Sequence, residues 1–299
     1  MSIDVATVRK LVRTQFPEWA HLDVRQVPSH GTVNAIFRIG DGLTARFPLT
    51  GGNNPSPAEI QEIRIGLQSE VYASKRLLGR TRFATPAPVA LGEPGPGFAL
   101  PWTVQTWLPG TVATDADPGD SVEFAHDLVE LITELRAAGT EGDTFHGPGR
   151  GGVLADHDAG VQANLTASER LLRVPKLRTL WDAMRELPRG SDPDVMTHSD
   201  LMPGNVLVTE GRLDGVLDVG GFGPAEPALE LIGAWHLLEA GPRKIVREGL
   251  NCDDAEWARG QAWAFEQSMG LVWFYEHTNP VMSGIGRRTL DRILADPAV

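Results

Sequence analysis

Val195-Met196-Thr197-His198-Ser199-Asp200-Leu201-Met202-Pro203-Gly204-Asn205-Val206-Leu207-Val208, continued by Thr209-Glu210-Gly211-Arg212-Leu213-Asp214-Gly215 and closed by Val216-Leu217-Asp218, carries the strongest local pattern in the chain. It starts as an apolar strand end, passes into a polar loop, and then sets an apolar run on each side of Glu210-Gly211. That arrangement predicts a β-hairpin with strands over 206–208 and 213–217. Such a hairpin brings Asn205 and Asp218 to one end, beside the loop that bears Asp200. Their oxygens are hard ligands suited to Mg²⁺, which takes few protein groups and completes its shell with phosphates and water. Taken singly, Asp200 reads as a turn residue, Asn205 as a strand-entry cap and Asp218 as a strand-exit cap. The joint spacing is what argues for chemistry.

His-x-Asp-x-x-x-x-Asn followed by a hairpin and an Asp resembles the catalytic and metal-binding loops of aminoglycoside phosphotransferases, a family that shares the protein kinase fold. The resemblance implies that Asp200 is the catalytic base, or aims the acceptor hydroxyl. It implies that Asn205 and Asp218 hold Mg²⁺. His198 is expected to brace the loop. Phosphoryl transfer asks for in-line positioning and for cancellation of phosphate charge, with little covalent work for the protein. The sequence departs from the family at Ser199, where Gly is common, at Met202, where a second His is common, and at Val219, where an aromatic is common. None of these removes the base or an oxygen ligand.

Downstream, Pro224-Ala225-Glu226-Pro227-Ala228-Leu229-Glu230-Leu231 is similar to the family segment Gly-Asp-Pro-Ala-x-Asp-Leu, with Glu at both acidic positions. Glu230 is implied to support the catalytic loop from a helix start. Trp257–Ala264 and Tyr275–Pro280 look like C-terminal helices of one bacterial branch, with Trp263 and Trp273 read as core. Glu266 and Glu276 are candidates to line an acidic acceptor cleft.

Upstream the pattern is β-rich. Residues 4–16 form an amphipathic helical pattern, and strands are expected over 24–27, 35–39 and 43–47, the last two joined across Asp41-Gly42. Residues 50–57 read as an exposed flexible loop and residues 58–78 as a helix. By resemblance, Ser29-His30-Gly31-Thr32-Val33-Asn34-Ala35 is the nucleotide loop, with Gly31 and Asn34 close to phosphate; it carries neither Gly-x-Gly-x-x-Gly nor a Walker A sequence. Arg46 stands where kinases place the β3 lysine, and Glu70 on the next helix is its implied ion-pair partner. The strand-like run 103–108 ends in Thr106, Trp107 and Leu108, the implied hinge that offers backbone groups to a purine.

Composition sets the outer bounds. The chain has 299 residues, 41% of them apolar, enough for a core in each of two lobes and too many for overall disorder. Its formal net charge is −12, from 39 acidic and 27 basic residues, the opposite of a nucleic-acid binder's bias. An acidic surface serves solubility or attracts a cationic substrate. The first residues carry no signal-peptide pattern and no run of about 18 apolar residues occurs, so no membrane span is expected. The lone Cys252 makes no intramolecular disulfide, which fits the cytoplasm.

The expected fold is therefore α+β, a two-lobe protein kinase-like fold. Residues 1–108 form a β-rich, nucleotide-binding N-lobe. Residues 109–299 form a mostly helical C-lobe with the catalytic loop, metal site and acceptor pocket. The implied activity moves the γ-phosphoryl group of a Mg²⁺-bound ATP or GTP to a hydroxyl of a small molecule, an aminoglycoside or similar cationic antibiotic, with antibiotic resistance as the role. Kinases of a macrolide, amino alcohol or sugar, and a nucleotide-binding pseudoenzyme or regulatory module, are the alternatives; oligomeric state is left open.

Overall fold

Alternation of apolar and polar residues builds the first sheet. The computed structural model describes residues 3–28, 31, 33–49 and 55–298. Ser29, His30 and Thr32 of the expected nucleotide loop, and residues 50–54 of the expected flexible loop, lie outside the described residues. The chain divides into two compact units. The first holds Met1–Leu78, Ala84–Pro109 and Asp218–Gly220; the second holds Gly79–Phe83, Gly110–Leu217 and Gly221–Val299.

In the first unit, helix α1 (Val5–Gln15) is followed by β1 (Val24–Gln26), β2 (Asn34–Ile39), β3 (Leu43–Pro48), helix α2 (Pro57–Leu77), β4 (Pro88–Gly92) and β5 (Trp102–Thr106). The strands form one antiparallel sheet in the order β1-β2-β3-β5-β4. Phe37 and Ile39 of β2 and Ala45 and Phe47 of β3 are buried, and the arginines between them, Arg38 and Arg46, leave by the other face. Phe47 stacks on Trp102 at 4.6 Å and meets Phe98 edge-on at 5.1 Å. Val8, Leu11 and Val12 of α1 close this core. Each fully buried side chain of this size stabilises by about 1.5–3 kcal/mol. Asp4 caps α1 through Thr7 N, and Ser56 with Glu59 forms a reciprocal capping box at the start of α2. Strand β5 stops at Thr106, two residues short of the expected end: its last partner on β3 is Leu43, and Trp107 and Leu108 run on toward Pro109 outside the ladder.

The second unit contains β6 (Thr111–Val112), α3 (Val122–Ala137), α4 (Asp158–Ala167), α5 (Val174–Met184), β7 (Val195–Thr197), β8 (Val206–Thr209), β9 (Arg212–Val216), β10 (Gly223–Ala225), α6 (Ile232–Leu237), α7 (Ala240–Gly249), α8 (Asp254–Phe274) and α9 (Pro280–Ala295). Strands β8 and β9 are the expected hairpin, and both turn residues have positive φ, 52° at Glu210 and 73° at Gly211. Such turns match the twist of the strands they join. Buried Asp127 on α3 pins the hairpin. It accepts from Arg212 at 2.5 and 2.7 Å, from Leu213 N at 3.2 Å and from Arg82 at 2.6 Å. Burial alone would raise its pKa, but these donors outweigh that and hold it below the ordinary carboxylate range.

Helix α8 is buried almost all round, as expected of a helix apolar on every face. Trp263 lies in its core, but Trp273 does not: it is 38% exposed, near the C-terminal end of the helix, where its indole N–H reaches Asn164 at 2.9 Å. Helix α9 packs on α8 through Gly286, where an added Cβ would fall 2.8 Å from Ser268 O and 3.0 Å from Val272. Two residues earlier, Gly284 has nothing within 4 Å. Gly286→Ala is therefore expected to cost about 1–3 kcal/mol by overpacking, whereas Gly284→Ala gains up to about 1 kcal/mol of helix propensity. Urea unfolding of the two variants checks this; equal effects would mean that the helices are not in that close contact.

Candidate functional site

The loop between β7 and β8 is held open by side chains that replace missing backbone pairs. His198 is fully buried; its Nε2–H donates to Leu217 O at 2.8 Å, which leaves Nδ1 to accept from Asp200 N at 3.3 Å. Glu230, also fully buried, accepts from His198 N at 2.7 Å and Ser199 N at 3.4 Å through one oxygen. Burial pushes the Glu230 carboxyl up, against the pull of His198 and those backbone donors. Ser199 sits at φ 69°, in the left-handed region where glycine costs least. That strain accounts for the preference for Gly at this position in the motif.

Asp200 is ringed by donors. Asn205 Nδ2 reaches its Oδ2 at 2.9 Å and its backbone oxygen at 3.0 Å. On the other oxygen, Gln267 Nε2 donates at 2.5 Å and Arg150 Nη2 approaches at 3.3 Å. Gln267 is itself oriented by His236, whose Nε2 lies 3.1 Å from Gln267 Oε1 and whose Nδ1 lies 2.9 Å from Thr289 Oγ1. Burial depresses the His236 pKa to about 4, so the ring is neutral near pH 7. A neutral ring that donates from Nε2 fixes the Gln267 amide with its N–H₂ toward Asp200.

With both contacts of its N–H₂ spent on Asp200, Asn205 keeps its amide oxygen for another partner. Asn205 O accepts from Leu217 N at 2.8 Å, one residue before Asp218. Asp218 has φ 55° and enters the tight turn Val219–Gly221. In the first unit, Arg46 carries two carboxylates: its Nη2 is 2.5 Å from Asp218 Oδ1, and its Nη1 is 3.6 Å from Glu70 Oε2. The expected Arg46–Glu70 pair is thus present as the longer arm of a three-residue cluster. Burial, with the charge of Asp218, raises the Glu70 pKa against the pull of Arg46. Two carboxylates on one guanidinium leave a net negative charge and one Asp218 oxygen uncommitted to Arg46, a donor set suited to a hard cation.

Gly31 is exposed, and Asn34 opens β2 opposite Pro48. The N–H groups of Thr106 and Trp107 are committed to Ala87 O at 2.9 Å and Gly42 O at 2.8 Å. Leu108 N–H makes no backbone hydrogen bond among the described residues. Trp107 lies under Arg38, 4.6 Å from guanidinium to ring centroid. Glu266 is not a free carboxylate: its Oε1 is 3.0 Å from His157 Nδ1, and Arg150 Nη1 lies 3.9 Å from Oε2. Glu276 has His277 at 3.6 Å. Glu266 thus has Arg150 and His157 as neighbours within its own unit. Arg150, Gln267 and His236 were not flagged by the sequence. A single Arg inside the glycine-rich run 147–152 was the available signal for the first; helical periodicity hides the other two.

The loop thus sets a carboxylate and an amide side by side ahead of a hairpin, with a second carboxylate following the hairpin in the chain. The model of the phosphotransferase enzyme family matches residues 31–263, and the chain belongs to that family. An aminoglycoside 3′-phosphotransferase of Escherichia coli is 43% identical over 61 residues, 20% of this chain and 22% of its own. A homoserine kinase of Gluconobacter oxydans (strain 621H) is 30% identical over 126 residues, 40% of this chain and 37% of its own. In these matches the chain spans well under two thirds of either relative. Among solved structures, the GDP complex of wild-type aminoglycoside 2′-phosphotransferase-IIIa aligns with a TM-score of 0.68 at 15% identity, over 98% of this chain and 100% of that one. The macrolide 2′-phosphotransferase of Brachybacterium faecium aligns at 0.60 and 15% identity, over 94% and 97%. The fold is accordingly the α+β, protein kinase-like fold of the aminoglycoside phosphotransferases.

Proposed function

We propose that the protein is a small-molecule kinase that transfers the γ-phosphoryl group of ATP or GTP to an alcohol. The observation that carries this reading is the Asp200–Asn205 contact at 2.9 Å in the loop that precedes the hairpin, in a chain of this family. Asp200 would receive the acceptor hydroxyl and take its proton as the O–P bond forms. Gln267 and Asn205 hold the carboxylate in place from opposite oxygens.

Mg²⁺ supplies charge neutralisation at the phosphates. In this reading the Asn205 amide oxygen and the Asp218 carboxylate would hold it. Such ions take one or two protein oxygens. A cluster of three or more acidic, His or Cys side chains is accordingly not required, and none is found among the described residues. Arg46 would face the α/β-phosphates, Gly31 and Asn34 would border them, and Leu108 N–H with the Thr106 and Trp107 carbonyls would read the purine. No helix among the described residues is long and apolar enough to cross a membrane, and we place the enzyme in the cytoplasm, where the nucleotide is supplied.

Incubation with labelled ATP and GTP and a broad acceptor panel tests the activity. Asp218→Ala is expected to abolish Mg²⁺-dependent turnover, and Asn205→Ala to weaken it about 10- to 100-fold. Unchanged Mg²⁺ dependence in Asp218→Ala would remove the metal assignment. As to the acceptor, the net charge of −12 favours a cationic antibiotic such as the aminoglycosides named for the relatives.

A further inference from the structure

Along α9, Arg287, Leu290, Asp291 and Leu294 recur at three- and four-residue spacing, so they share one face of the helix. With Leu171 and Leu172 in the turn before α5, and Arg173, Lys176 and Leu177 at its start, they line a cavity of about 590 Å³. That volume lies in the range of small-molecule sites, roughly 300–1,000 Å³. Leu177 and Leu290 are buried at its base, and Leu171, Leu172 and Leu294 are half-buried along it. The turn is fixed. Leu171 N and Leu172 N donate to Ser168 O at 2.8 and 3.0 Å, and Arg287 Nη1 ties the turn to α9 through Leu171 O at 3.0 Å. None of these residues belongs to the loop that carries Asp200 and Asn205.

The charge at this cavity is opposite to that of the chain. Arg173, Lys176 and Arg287 stand against Asp291, a surplus of two positive charges on a protein whose net charge is −12. Carboxylates nearby in the sequence do not cancel it. Glu169 is followed by Arg170, Asp182 lies 3.5 Å from Arg185, and Asp296 lies 3.0 Å from Arg243. Arg288 adds an exposed cation, while Arg292 is taken by Glu239 at 2.6 Å. Asp291 follows Arg287 by four residues, the weaker order for a helical pair. Among the described residues, none of Arg173, Lys176 and Arg287 is ion-paired. Helix stability does not account for these cations either, since Arg173 at the N-cap and Lys176 in the first turn of α5 both oppose the helix dipole.

Half-buried leucines beside unpaired cations complement a ligand with an apolar chain and an anionic head. A protein partner fits less well, because such an interface takes about 20–30 residues a side and this cavity is lined by ten. The surplus of two positive charges matches a phosphate monoester, at about −1.5 to −2, better than the single charge of a carboxylate. We infer that this cavity binds a single-chain phosphate monoester, its alkyl chain against Leu177, Leu290 and Leu294 and its phosphate against Arg173, Lys176 and Arg287. Covering the chain supplies affinity, about 3- to 4-fold for each methylene buried. The cations select the anionic head. The acidic remainder of the surface is screened beyond about 8 Å at physiological ionic strength, so the local cations dominate at the cavity.

Calorimetric titration with octyl phosphate tests this, with ADP in excess throughout so that a nucleotide site offers the probe no phosphate position. Butyl phosphate and inorganic phosphate shorten or remove the chain, and 1-octanol removes the charge. Octyl phosphate is expected to bind about 10- to 100-fold more tightly than butyl phosphate, and by a similar factor more tightly than octanol. Arg173→Gln combined with Lys176→Gln, both at exposed positions, should weaken octyl phosphate about 10-fold or more and leave octanol unchanged. Leu294→Asn should weaken both. Equal affinity for octyl phosphate and octanol would reduce the cavity to a bare apolar surface and overturn the inference. Inorganic phosphate bound as tightly as octyl phosphate overturns it too, as does full octyl phosphate affinity in the double variant. No saturable binding below about 1 mM overturns it outright. Capture on phosphatidic acid vesicles without binding of monomeric octyl phosphate would replace the cavity by a membrane-facing patch, and the inference would fall.

Discussion

Asp200→Asn is expected to lower kcat by about 10²–10⁴ while leaving nucleotide affinity nearly unchanged. The reason is geometric as well as chemical. Both oxygens of Asp200 face donors: Gln267 Nε2 at 2.5 Å and Arg150 at 3.3 Å on one side, Asn205 Nδ2 at 2.9 Å on the other. An amide at this position offers one acceptor and one N–H₂, so one side must set donor against donor. The variant loses the proton acceptor and also the fixed orientation. Its fold should survive, because the Asp200 side chain is 31% exposed and water can satisfy the displaced donors. Steady-state turnover on a confirmed acceptor, with calorimetric nucleotide binding as the control, reads the result. Wild-type kcat in Asp200→Asn would remove Asp200 from the base role.

The hairpin and the loop before it were legible because the relevant signals are local. Glu210-Gly211 between two apolar runs dictates a turn, and that turn brings Leu217 N to Asn205 O at 2.8 Å. The same holds for the alternating residues of β2 and β3, which put Arg46 on the face opposite Phe47. What surrounds Asp200 from afar was not legible. Gln267 reaches it across 67 positions and Arg150 across 50, and neither residue type in a helix or a glycine-rich loop announces a partner. The third corner of the Arg46 cluster was missed for the same reason, since Asp218 is 172 positions away. At the two positions where Glu replaces the motif's Asp, Glu230 reaches the backbone of His198 at 2.7 Å, and Glu226 reaches an arginine that the motif does not contain.

That arginine supports the second large effect. Arg259 on α8 meets Glu226 in a two-point contact, Nε to Oε2 at 2.5 Å and Nη2 to Oε1 at 2.6 Å, with side chains only 2% and 5% exposed. Trp263 donates its indole N–H to the same carboxylate, and Arg259 also donates to Leu187 O at 2.6 Å and Gly152 O at 3.0 Å. A charge this buried is tolerated only with its partner, so Glu226→Ala is expected to cost about 3–5 kcal/mol by leaving Arg259 unpaired. Arg259→Ala should cost a similar amount and should also free Gly152 O, loosening the loop that presents Arg150. Replacing both, as Glu226→Met with Arg259→Leu, removes the unpaired charge together with the pair. Its cost should be well below the sum of the singles, because the desolvation of two ions is relieved at once. Urea unfolding of the two single variants and the double variant gives the coupling directly. Single variants that each lose less than about 1 kcal/mol would show that water reaches the pair and that this buried contact does not hold the loop.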